Sequence, residues 1–307
     1  MKNLLIVVTG PTAIGKTTVA IQLAKTFDAE IISADSRQFY KELRIGVAAP
    51  TEEELCQARH HFIGHISISD HYNVSKFENE VIEFLNTYYK KKQVAVMVGG
   101  SGLYIDAVCK GIDELPDPDN ELRKTLKRKM NNEGIEASLL RLKELDPDYF
   151  NIVDRKNPNR ILRALEVCLT TGKTYTSLRN NQSKKRGFEI LKIGLNRPRN
   201  ELFQIIHNRV DQMIETGLIK EVEGLKECKN FNSLNTVGYK EIFNYLDNEW
   251  SLDLAIEKIK TNTRRYAKRQ LTWFKRDDTV EWFHPEDIES IVEHLRNKKF
   301  FQINNNF

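Results

Sequence analysis

Short apolar runs alternate with amphipathic stretches along the chain. Continuous apolar runs of this length are typical of strands that are buried in a parallel sheet. Between the runs, residues 18–25 and 75–90 have the apolar spacing of helices, with Phe77, Val81 and Leu85 on one face. The alternation predicts an α/β fold with Val280–Phe283 as an edge strand. The predicted strands are residues 4–8, 30–34, 94–98, 188–195 and Val280–Phe283.

Residues 119–187 depart from this pattern. The preceding segment, 115–119, contains two prolines, and the residues after it contain no strand pattern, many helix formers and an excess of basic side chains. We expect an all-helical domain inserted into the α/β core, with Asn159 capping one of its helices. The chain would then consist of a first core part (1–118), a helical insertion (119–187) and a second core part (188–307).

The segment GPTAIGKT at 10–17 has the spacing of a phosphate-binding loop, G-x-x-x-x-G-K-[ST]. It lies between a predicted strand and a predicted helix, as such a loop requires, which disfavours a chance match to a turn. Backbone N–H groups of the loop would bind anionic oxygens, Lys16 would add positive charge, and the Thr17 hydroxyl could bind Mg²⁺. The motif predicts a phosphate-loop NTPase-like core but does not identify the polyphosphate. The predicted diphosphate-binding residues are Gly10, Thr12, Ala13, Ile14, Gly15, Lys16 and Thr17.

Polar segments follow two other predicted strands. Asp35 comes directly after residues 30–34, and the glycine-rich sequence GGSGLY at 99–104 follows residues 94–98. Because the carboxyl ends of parallel strands face the ligand crevice, Asp35 is expected near the phosphate loop. An Asp that caps the next turn is an equally good interpretation. The histidines at 60 and 61 have no partner at metal-ligand spacing, which favours exposed or packed side chains over a metal site.

The composition is that of an ordinary soluble enzyme, with 40% hydrophobic and 29% charged residues and a net charge of +4. The first apolar run is too short for a secretory signal, and no stretch approaches the roughly 20 apolar residues of a membrane span. Cys56, Cys109, Cys168 and Cys228 are far apart, which indicates buried thiols rather than a disulfide framework or a zinc site. We therefore expect a cytoplasmic protein without membrane contact.

Positive charge is concentrated in residues 256–276. Arg264 with Lys268, and Arg265 with Arg269, are four residues apart, so like charges would stack along one helix face and destabilise it. A polyanion would neutralise such a stripe, which indicates a nucleic-acid-binding surface. Tyr266 could stack on a base, although core packing is the commoner use of aromatic residues at this spacing.

Several sequence blocks, taken in order, resemble those of the tRNA dimethylallyltransferases, also called tRNA isopentenyltransferases. The phosphate loop is shared with many NTPases, but the other blocks are more specific, and the resemblance covers nearly the whole length. The blocks are GPTAIGKT at 10–17, DSRQ at 35–38, GGSGLY at 99–104, NPNRILRALEV at 157–167, HNRVDQM at 207–213, TVGYKE at 236–241 and TRRYAKRQLTWFK at 263–275.

The resemblance implies a bacterial-type, magnesium-dependent enzyme with a phosphate-loop core and a helical insertion. Members of this family transfer the dimethylallyl group of dimethylallyl diphosphate to the N6 amine of adenosine 37, which lies just 3′ of the anticodon, and release diphosphate. The implied partners are dimethylallyl diphosphate and the anticodon stem-loop of tRNA, and we expect a monomer.

The resemblance also implies roles for individual residues. The adenine amine is a poor nucleophile because its lone pair is delocalised, and Asp35 would be the base that accepts its proton. Lys16, Thr17 and Arg209 would stabilise the departing diphosphate. Val47 and Ala49 stand where the family usually has Thr and Lys, which leaves the contribution of those two positions open. The implied tRNA-binding residues are Asp35, Ser36, Arg37, Gln38, Ser101, Arg123, Asn159, Arg160, Ile161, Leu162, Arg163, Thr236, Gly238, Tyr239, Lys240, Arg265 and Arg269.

Two other functions are compatible with a phosphate loop. A small-molecule kinase would use Asp35 to bind substrate or magnesium, but the basic insertion and the basic stripe argue against it. An ATP-gated RNA-binding protein would use the same loop, Asp35 and Arg209 would then be structural, and no prenyl donor would bind.

Overall fold

The computed structural model describes residues 3–113, 115–179, 182–298 and 300–301. The chain divides into two compact units, Lys110–Lys185 and the remainder, Met1–Cys109 with Arg186–Phe307. The smaller unit corresponds to the expected insertion, but it starts at Lys110 rather than at 119 and ends at Lys185 rather than at 187. It starts earlier because the segment before 119 is bonded within this unit: Lys110 O accepts a hydrogen bond from Lys184 N at 2.7 Å, and Pro116 O accepts one from Arg163 at 2.7 Å.

The larger unit contains a six-stranded sheet with the strand order β3-β2-β4-β1-β5-β6. Every neighbouring pair is parallel, as the apolar runs predicted, and β6 lies at an edge. The two-residue strand β3, at the other edge, was not predicted, because two histidines carry no strand pattern. The strands are β1 (Leu4–Thr9), β2 (Ile31–Ser33), β3 (His60–His61), β4 (Val94–Gly99), β5 (Glu189–Leu195) and β6 (Val280–Phe283).

Helices connect the strands and form the smaller unit. Two short 3₁₀ turns, Lys226–Cys228 and Asn232–Leu234, lie between the tenth and eleventh helices. In chain order the helices are α1 (Lys16–Thr26), α2 (Glu52–Gln57), α3 (Val74–Tyr88), α4 (Gly102–Lys110), α5 (Asn120–Leu145), α6 (Pro147–Ile152), α7 (Pro158–Thr171), α8 (Tyr175–Leu178), α9 (Arg199–Glu215), α10 (Leu218–Glu223), α11 (Tyr239–Leu246), α12 (Leu252–Phe274) and α13 (Ile288–Arg296).

The central strand β1 is buried on both faces. Leu4, Ile6 and Val8 share one core with residues of α1, α9 and α13, whereas Leu5 and Val7 share the opposite core with residues of α3 and α4. Burial of each such side chain contributes roughly 1.5–3 kcal/mol. These two cores fix the carboxyl end of β1, from which the phosphate loop emerges.

A third core supports the loops at the carboxyl edge of the sheet. Leu218, Tyr239, Ile242 and Ile259 bring α10, α11 and α12 together, and Leu43 packs with them. The Tyr239 hydroxyl donates a 2.6 Å hydrogen bond to Glu221 Oε1. The side chain of Tyr239 is therefore part of this core. We remove Tyr239 from the residues whose side chains are expected to contact tRNA.

The described residues of the smaller unit form helices and no strand, as expected for the insertion. Ile161 and Leu162 are only 0% and 7% exposed and lie in the core of this unit. We therefore remove both from the residues whose side chains are expected to contact tRNA. Asn157, rather than Asn159, caps α7, because its Oδ1 accepts a hydrogen bond from Arg160 N and Pro158 occupies the first helical position. Asn159 lies exposed in the first turn.

Within the described part of the chain, no helix is long and apolar enough to cross a membrane. All four cysteines are free, but only Cys109 and Cys168 are buried, so the expectation of buried thiols fails for the exposed Cys56 and the half-buried Cys228. No cluster of three or more His, Cys, Asp or Glu residues suited to a metal ion occurs among the residues described.

Candidate active site

The phosphate loop joins β1 to α1 and borders a cavity of about 530 Å³. Gly15 precedes α1 at φ +98°, in the left-handed region, and no side chain caps the helix. The uncapped N–H groups of the first turn are therefore available to an anion. Residues 12–17 line this cavity, but Gly10 does not. A Cβ on Gly10 would lie 2.7 Å from Leu195 O, so Gly10 allows close packing on β5 rather than ligand contact.

The Lys16 side chain is half-buried at this cavity. Its Nζ donates a 2.8 Å hydrogen bond to Pro11 O. Burial lowers the pKa of Lys16 to about 8, with nearby Asp35 acting to raise it and nearby Arg209 to lower it. Such an ammonium group has lost much of its stabilisation by water. A multiply charged anion binds it strongly, because the anion replaces the lost stabilisation of the positive charge.

Arg209 reaches the same cavity from α9. Burial lowers the pKa of its guanidinium, and the carboxylates of Glu54 and Asp35 oppose that effect. Among the described residues, the Arg209 guanidinium has no hydrogen-bond partner. Its N–H donors are therefore available for bidentate binding of a phosphate.

Asp35 both caps the turn that follows β2 and lies near the phosphate loop, the two positions that the sequence left open. Its Oδ1 accepts a 3.0 Å hydrogen bond from Arg37 N, which stabilises the turn after β2. Its side chain also lines the phosphate-loop cavity beside Lys16 and Arg209. The other carboxylate oxygen, Oδ2, has no hydrogen-bond partner in the described part of the chain, and so can accept a proton from a ligand.

A second cavity, of about 370 Å³, adjoins the first. Thr12, Asp35 and Arg209 line both. The remaining wall of the second cavity combines apolar side chains, such as Met213 and Ile259, with polar and basic ones. The latter include Arg37, Thr236, Lys240, Tyr266 and Arg269, and Gly238 also lines the cavity. The carboxylate of Asp35 thus lies where a polyphosphate in the first cavity and a second ligand in the other would meet.

Tyr266 was not expected in the site, since core packing was the preferred interpretation of this aromatic residue. It lines the second cavity instead, and its hydroxyl lies beside Ser101. Burial raises the pKa of Tyr266 to about 12, and the Asp35 carboxylate adds to the rise. The phenol is therefore neutral at physiological pH and can donate a hydrogen bond. Ser101 Oγ in turn accepts a 3.0 Å hydrogen bond from Ser36 N.

Gln270, one turn after Tyr266, joins the two glycine-rich loops. It is only 5% exposed. Its Oε1 accepts a 2.8 Å hydrogen bond from Thr12 N, and its Nε2 donates a 2.9 Å hydrogen bond to Gly100 O. A buried amide inside a basic helix has no signal in a single sequence, and sequence reasoning missed it.

Gln38 lies on the phosphate side rather than with the tRNA-binding residues. Its Oε1 accepts a 3.1 Å hydrogen bond from Ser33 Oγ, and its Nε2 donates a 2.9 Å hydrogen bond to Ala48 O. These bonds fix the segment that contains Val47 and Ala49, both of which line the first cavity. The two departures from the family pattern are therefore in the wall of the polyphosphate site.

Several other expected tRNA-binding residues are engaged within the protein. The Arg37 guanidinium donates 3.1 Å hydrogen bonds to the carbonyl oxygens of Asn232 and Ser233. Gly238 N donates to Glu241 Oε2 at 2.8 Å and begins α11. Arg37 and Gly238 nevertheless line the second cavity, as do Thr236 and Lys240.

In the smaller unit, two expected tRNA-binding arginines meet a buried carboxylate. Arg163 and Arg123 lie 2.9 Å and 3.3 Å from Glu166 Oε2, and the Glu166 side chain is only 1% exposed. Both guanidinium groups therefore stabilise the helical unit itself. Asn159 and Arg160 are exposed on α7.

The sequence was compared with known proteins and protein families. The sequence model of the IPP transferase family matches residues 38–277. The chain belongs to this family. The resemblance found in the ordered sequence blocks is thereby confirmed.

Relatives of the chain include named tRNA-modifying enzymes. The tRNA dimethylallyltransferase 1 of Bacteroides thetaiotaomicron is 51% identical over 292 residues, which cover 95% of each chain. The crystal structure of the tRNA isopentenylpyrophosphate transferase from Bacillus halodurans is 34% identical, covers 96% of each chain and has a TM-score of 0.70.

A eukaryotic dimethylallyltransferase acting on tRNA has a TM-score of 0.80 at 24% identity, over 99% of this chain and 80% of its own. At that identity the likeness concerns the fold alone. It agrees with the bacterial structure in supporting a phosphate-loop NTPase-like α/β core, the fold class that the sequence predicted.

Proposed function

We propose that the protein is a tRNA dimethylallyltransferase that modifies the N6 amine of adenosine 37 with the dimethylallyl group of dimethylallyl diphosphate. The observation that carries the proposal is the position of Asp35 in the walls of two adjoining cavities. One cavity is lined by the phosphate loop, and the other by basic and hydrogen-bonding side chains. A transfer between a diphosphate and an RNA base needs a base catalyst at the junction of two such sites.

Asp35 accepts the proton of the adenine amine in this proposal. As the bond between N6 and C1 of the dimethylallyl group forms, the bond between C1 and the bridging oxygen breaks, and its electron pair leaves with diphosphate. The amine becomes nucleophilic as its proton passes to the carboxylate, which contributes a factor of about 10²–10⁴. The unpartnered Oδ2 atom of Asp35 supports this role.

The leaving diphosphate is stabilised by preorganised donors. The N–H groups of the loop, Lys16 and Arg209 all line the first cavity. Negative charge grows on the bridging oxygen as the bond breaks, so cations fixed beside it lower the barrier more than they stabilise the bound substrate.

The residues of the first cavity also fit a magnesium ion. Thr17 lines this cavity, and its hydroxyl has no hydrogen-bond partner in the described part of the chain. Because Mg²⁺ binds through few protein ligands together with phosphate oxygens and water, this single hydroxyl fits the ion. A bound Mg²⁺ would neutralise diphosphate charge, and Thr17 is the residue that would hold it.

The second cavity is proposed to receive the target adenosine, extruded from the anticodon loop. We assign tRNA contacts in this cavity to Asp35, Ser36, Arg37, Thr236, Gly238, Lys240 and Arg269. Tyr266, which was not expected from the sequence, joins them, and Ser101 holds Ser36 in place. Arg265 on the exposed side of α12, and Asn159 and Arg160 on α7, remain proposed contacts. We further propose that the enzyme acts as a monomer in the cytoplasm and binds the anticodon stem-loop.

Neither alternative function is favoured. The relatives are named for prenyl transfer to tRNA, not for phosphorylation of a small molecule or for ATP-gated binding of RNA. A kinase would in addition leave the basic wall of the second cavity without a role.

The direct test is prenyl transfer to unmodified tRNA. Purified protein, Mg²⁺, dimethylallyl diphosphate and an adenosine-37 tRNA should produce a tRNA heavier by one dimethylallyl group, located at nucleotide 37 by digestion and mass spectrometry. The same tRNA with guanosine 37 is the matched control and should stay unmodified. Modification at another nucleotide, or none, would refute the proposal.

A further inference from the structure

A third cavity lies across α12 from the proposed tRNA site. Its volume is about 980 Å³, larger than either cavity of the candidate active site, and Leu202, Phe203 and Leu271 form its apolar floor. No carboxylate is among the described residues that line it. Its cationic residues are Arg197, Arg199, Arg264, Arg265, Lys268 and Lys275.

Most of this positive charge has no ion-pair partner in the described part of the chain. Arg197 lies 3.3 Å from Glu286 and 3.9 Å from Glu201. The other five cations have no ion pair with the described part of the chain. So many like charges around one cavity repel each other, and an anion bound there would relieve the repulsion.

Two of the arginines are held by the floor of the cavity. The guanidinium carbons of Arg199 and Arg264 lie 5.0 Å and 5.5 Å from the centre of the Phe203 ring. Arg264 is fixed further by a 3.1 Å contact with His207 Nε2 and a 2.9 Å hydrogen bond to Thr261 Oγ1. A cation–π contact leaves N–H donors of Arg199 available, so they can bind two phosphate oxygens at once.

The third and second cavities are lined by neighbouring residues of α12. Arg265 lines the third cavity, and Arg269, one turn later, lines the second. Both side chains are exposed. Residues four apart on a helix are neighbours, so a polyanion lying over this ridge would contact both cavities.

We propose that the third cavity is a second RNA-binding site, which holds a phosphodiester segment of the tRNA apart from the target adenosine. The inference rests on the proposed function, because it takes tRNA as the substrate. Arg199 and Lys275 bind backbone phosphates, and the apolar floor packs against a ribose or base of the same segment. RNA is the occupant that fits best, since its repeated phosphates match several fixed cations and its chain can cross the ridge of α12.

The test compares two charge-neutralised proteins in full-length form. Arg199→Gln with Lys275→Gln removes two cations of the cavity and none from the active site. Lys90→Gln with Lys91→Gln is the matched control, because both lysines are exposed just before the amino end of β4 and line neither the active site nor the third cavity. The dissociation constant for fluorescently labelled unmodified tRNA is measured from low to high salt, and melting temperatures establish that both proteins are folded.

The cavity variant should bind tRNA more weakly, and its slope of log K against log salt should flatten by about 1.5, since each lost phosphate contact removes roughly 0.7–0.9. Its rate at saturating tRNA and its KM for dimethylallyl diphosphate should match those of the unaltered enzyme. Arg199→Lys in place of Arg199→Gln should restore part of the slope.

Two results would overturn the inference while leaving the transferase intact. A salt slope equal to that of the lysine control, in an enzyme that still prenylates tRNA, would mean that no phosphate is bound in the cavity. A normal salt slope with lost binding of labelled ADP would make the cavity a site for a free nucleotide. Failure of the proposed function is distinct, because it would appear as absent prenylation in the unaltered enzyme.

Discussion

The cations of the phosphate-loop cavity differ from the arginines of the smaller unit. Lys16 and Arg209 are half-buried beside Asp35, and neither forms an ion pair with a residue in the described part of the chain. Arg123 and Arg163 instead share the buried carboxylate of Glu166. In the sequence, Lys16, Arg209 and Arg163 all occur in blocks that resemble the same family. The counter-charge around a basic residue therefore decides whether that residue binds a ligand or stabilises the fold.

The largest effect is expected from Lys16→Ala. This change should lower the rate of prenyl transfer by about 10³-fold or more, because a cation that stabilises the leaving diphosphate is lost. The melting temperature of the ligand-free protein should not fall, since burial of the Lys16 charge is unfavourable. Single-turnover rates and thermal unfolding check this prediction. Lys25→Ala, on the same helix, is a control that should leave transfer unchanged.

Asp35→Asn should cut the single-turnover rate by about 10²-fold or more, the scale of a lost general base. Binding of tRNA and of diphosphate should stay close to normal, because the amide can still accept the hydrogen bond from Arg37 N. Asp278→Asn, an exposed position, is the matched control. A near-normal rate in Asp35→Asn would mean that another group accepts the proton.

Glu166→Gln should lower stability and leave the transfer rate unchanged, whereas Lys16→Ala should lower the rate and leave stability unchanged. Loss of the buried charge leaves two arginines without their partner and should destabilise the smaller unit by about 2–4 kcal/mol, measured by urea unfolding. The single-turnover rate at saturating substrates should persist. Glu144→Gln, exposed on α5, should have little effect on stability. A stable Glu166→Gln protein with impaired chemistry would break the contrast between the two sets of cations.

The pH dependence of diphosphate binding gives the smallest effect. The pKa of Lys16 is lowered to about 8, so the ammonium is lost as the pH rises through that value. Because the charged form binds the diphosphate, kcat/KM for dimethylallyl diphosphate should fall above about pH 8, by up to about tenfold per pH unit. The decline should disappear in Lys16→Ala. A flat profile to pH 10 would show that Lys16 stays charged in the free enzyme.

The sequence alone predicted the phosphate-binding part of the site best, because backbone N–H groups of a local loop form that part. The apolar run 4–8 and the spacing of Gly15, Lys16 and Thr17 were enough to predict a strand, a phosphate loop and a helix, because this arrangement depends on local sequence. Asp35 was predicted by the same reasoning, since it follows a buried strand at the carboxyl edge of the sheet.

The remaining features depend on contacts between distant segments. Gln270 contacts Thr12 and Gly100, which are far away in the chain, and no periodicity reports such a bond. Tyr266 lines the second cavity only because α12 packs against the loops that follow β1 and β4, where Gln270 bonds to Thr12 and Gly100. Ile161 and Tyr239 occur in family-like blocks but are buried, because tertiary packing decides which residues of such a block are buried.

The most direct test of the central claim measures what the phosphate loop consumes. The protein is incubated with unmodified tRNA, dimethylallyl diphosphate, Mg²⁺ and ATP, and the tRNA mass, released diphosphate and remaining ATP are measured together. We predict one diphosphate released for each dimethylallyl group added, competition by added pyrophosphate, and no loss of ATP. Consumption of ATP on addition of tRNA, with the tRNA mass unchanged, would contradict the claim and make the protein an ATP-gated RNA-binding protein.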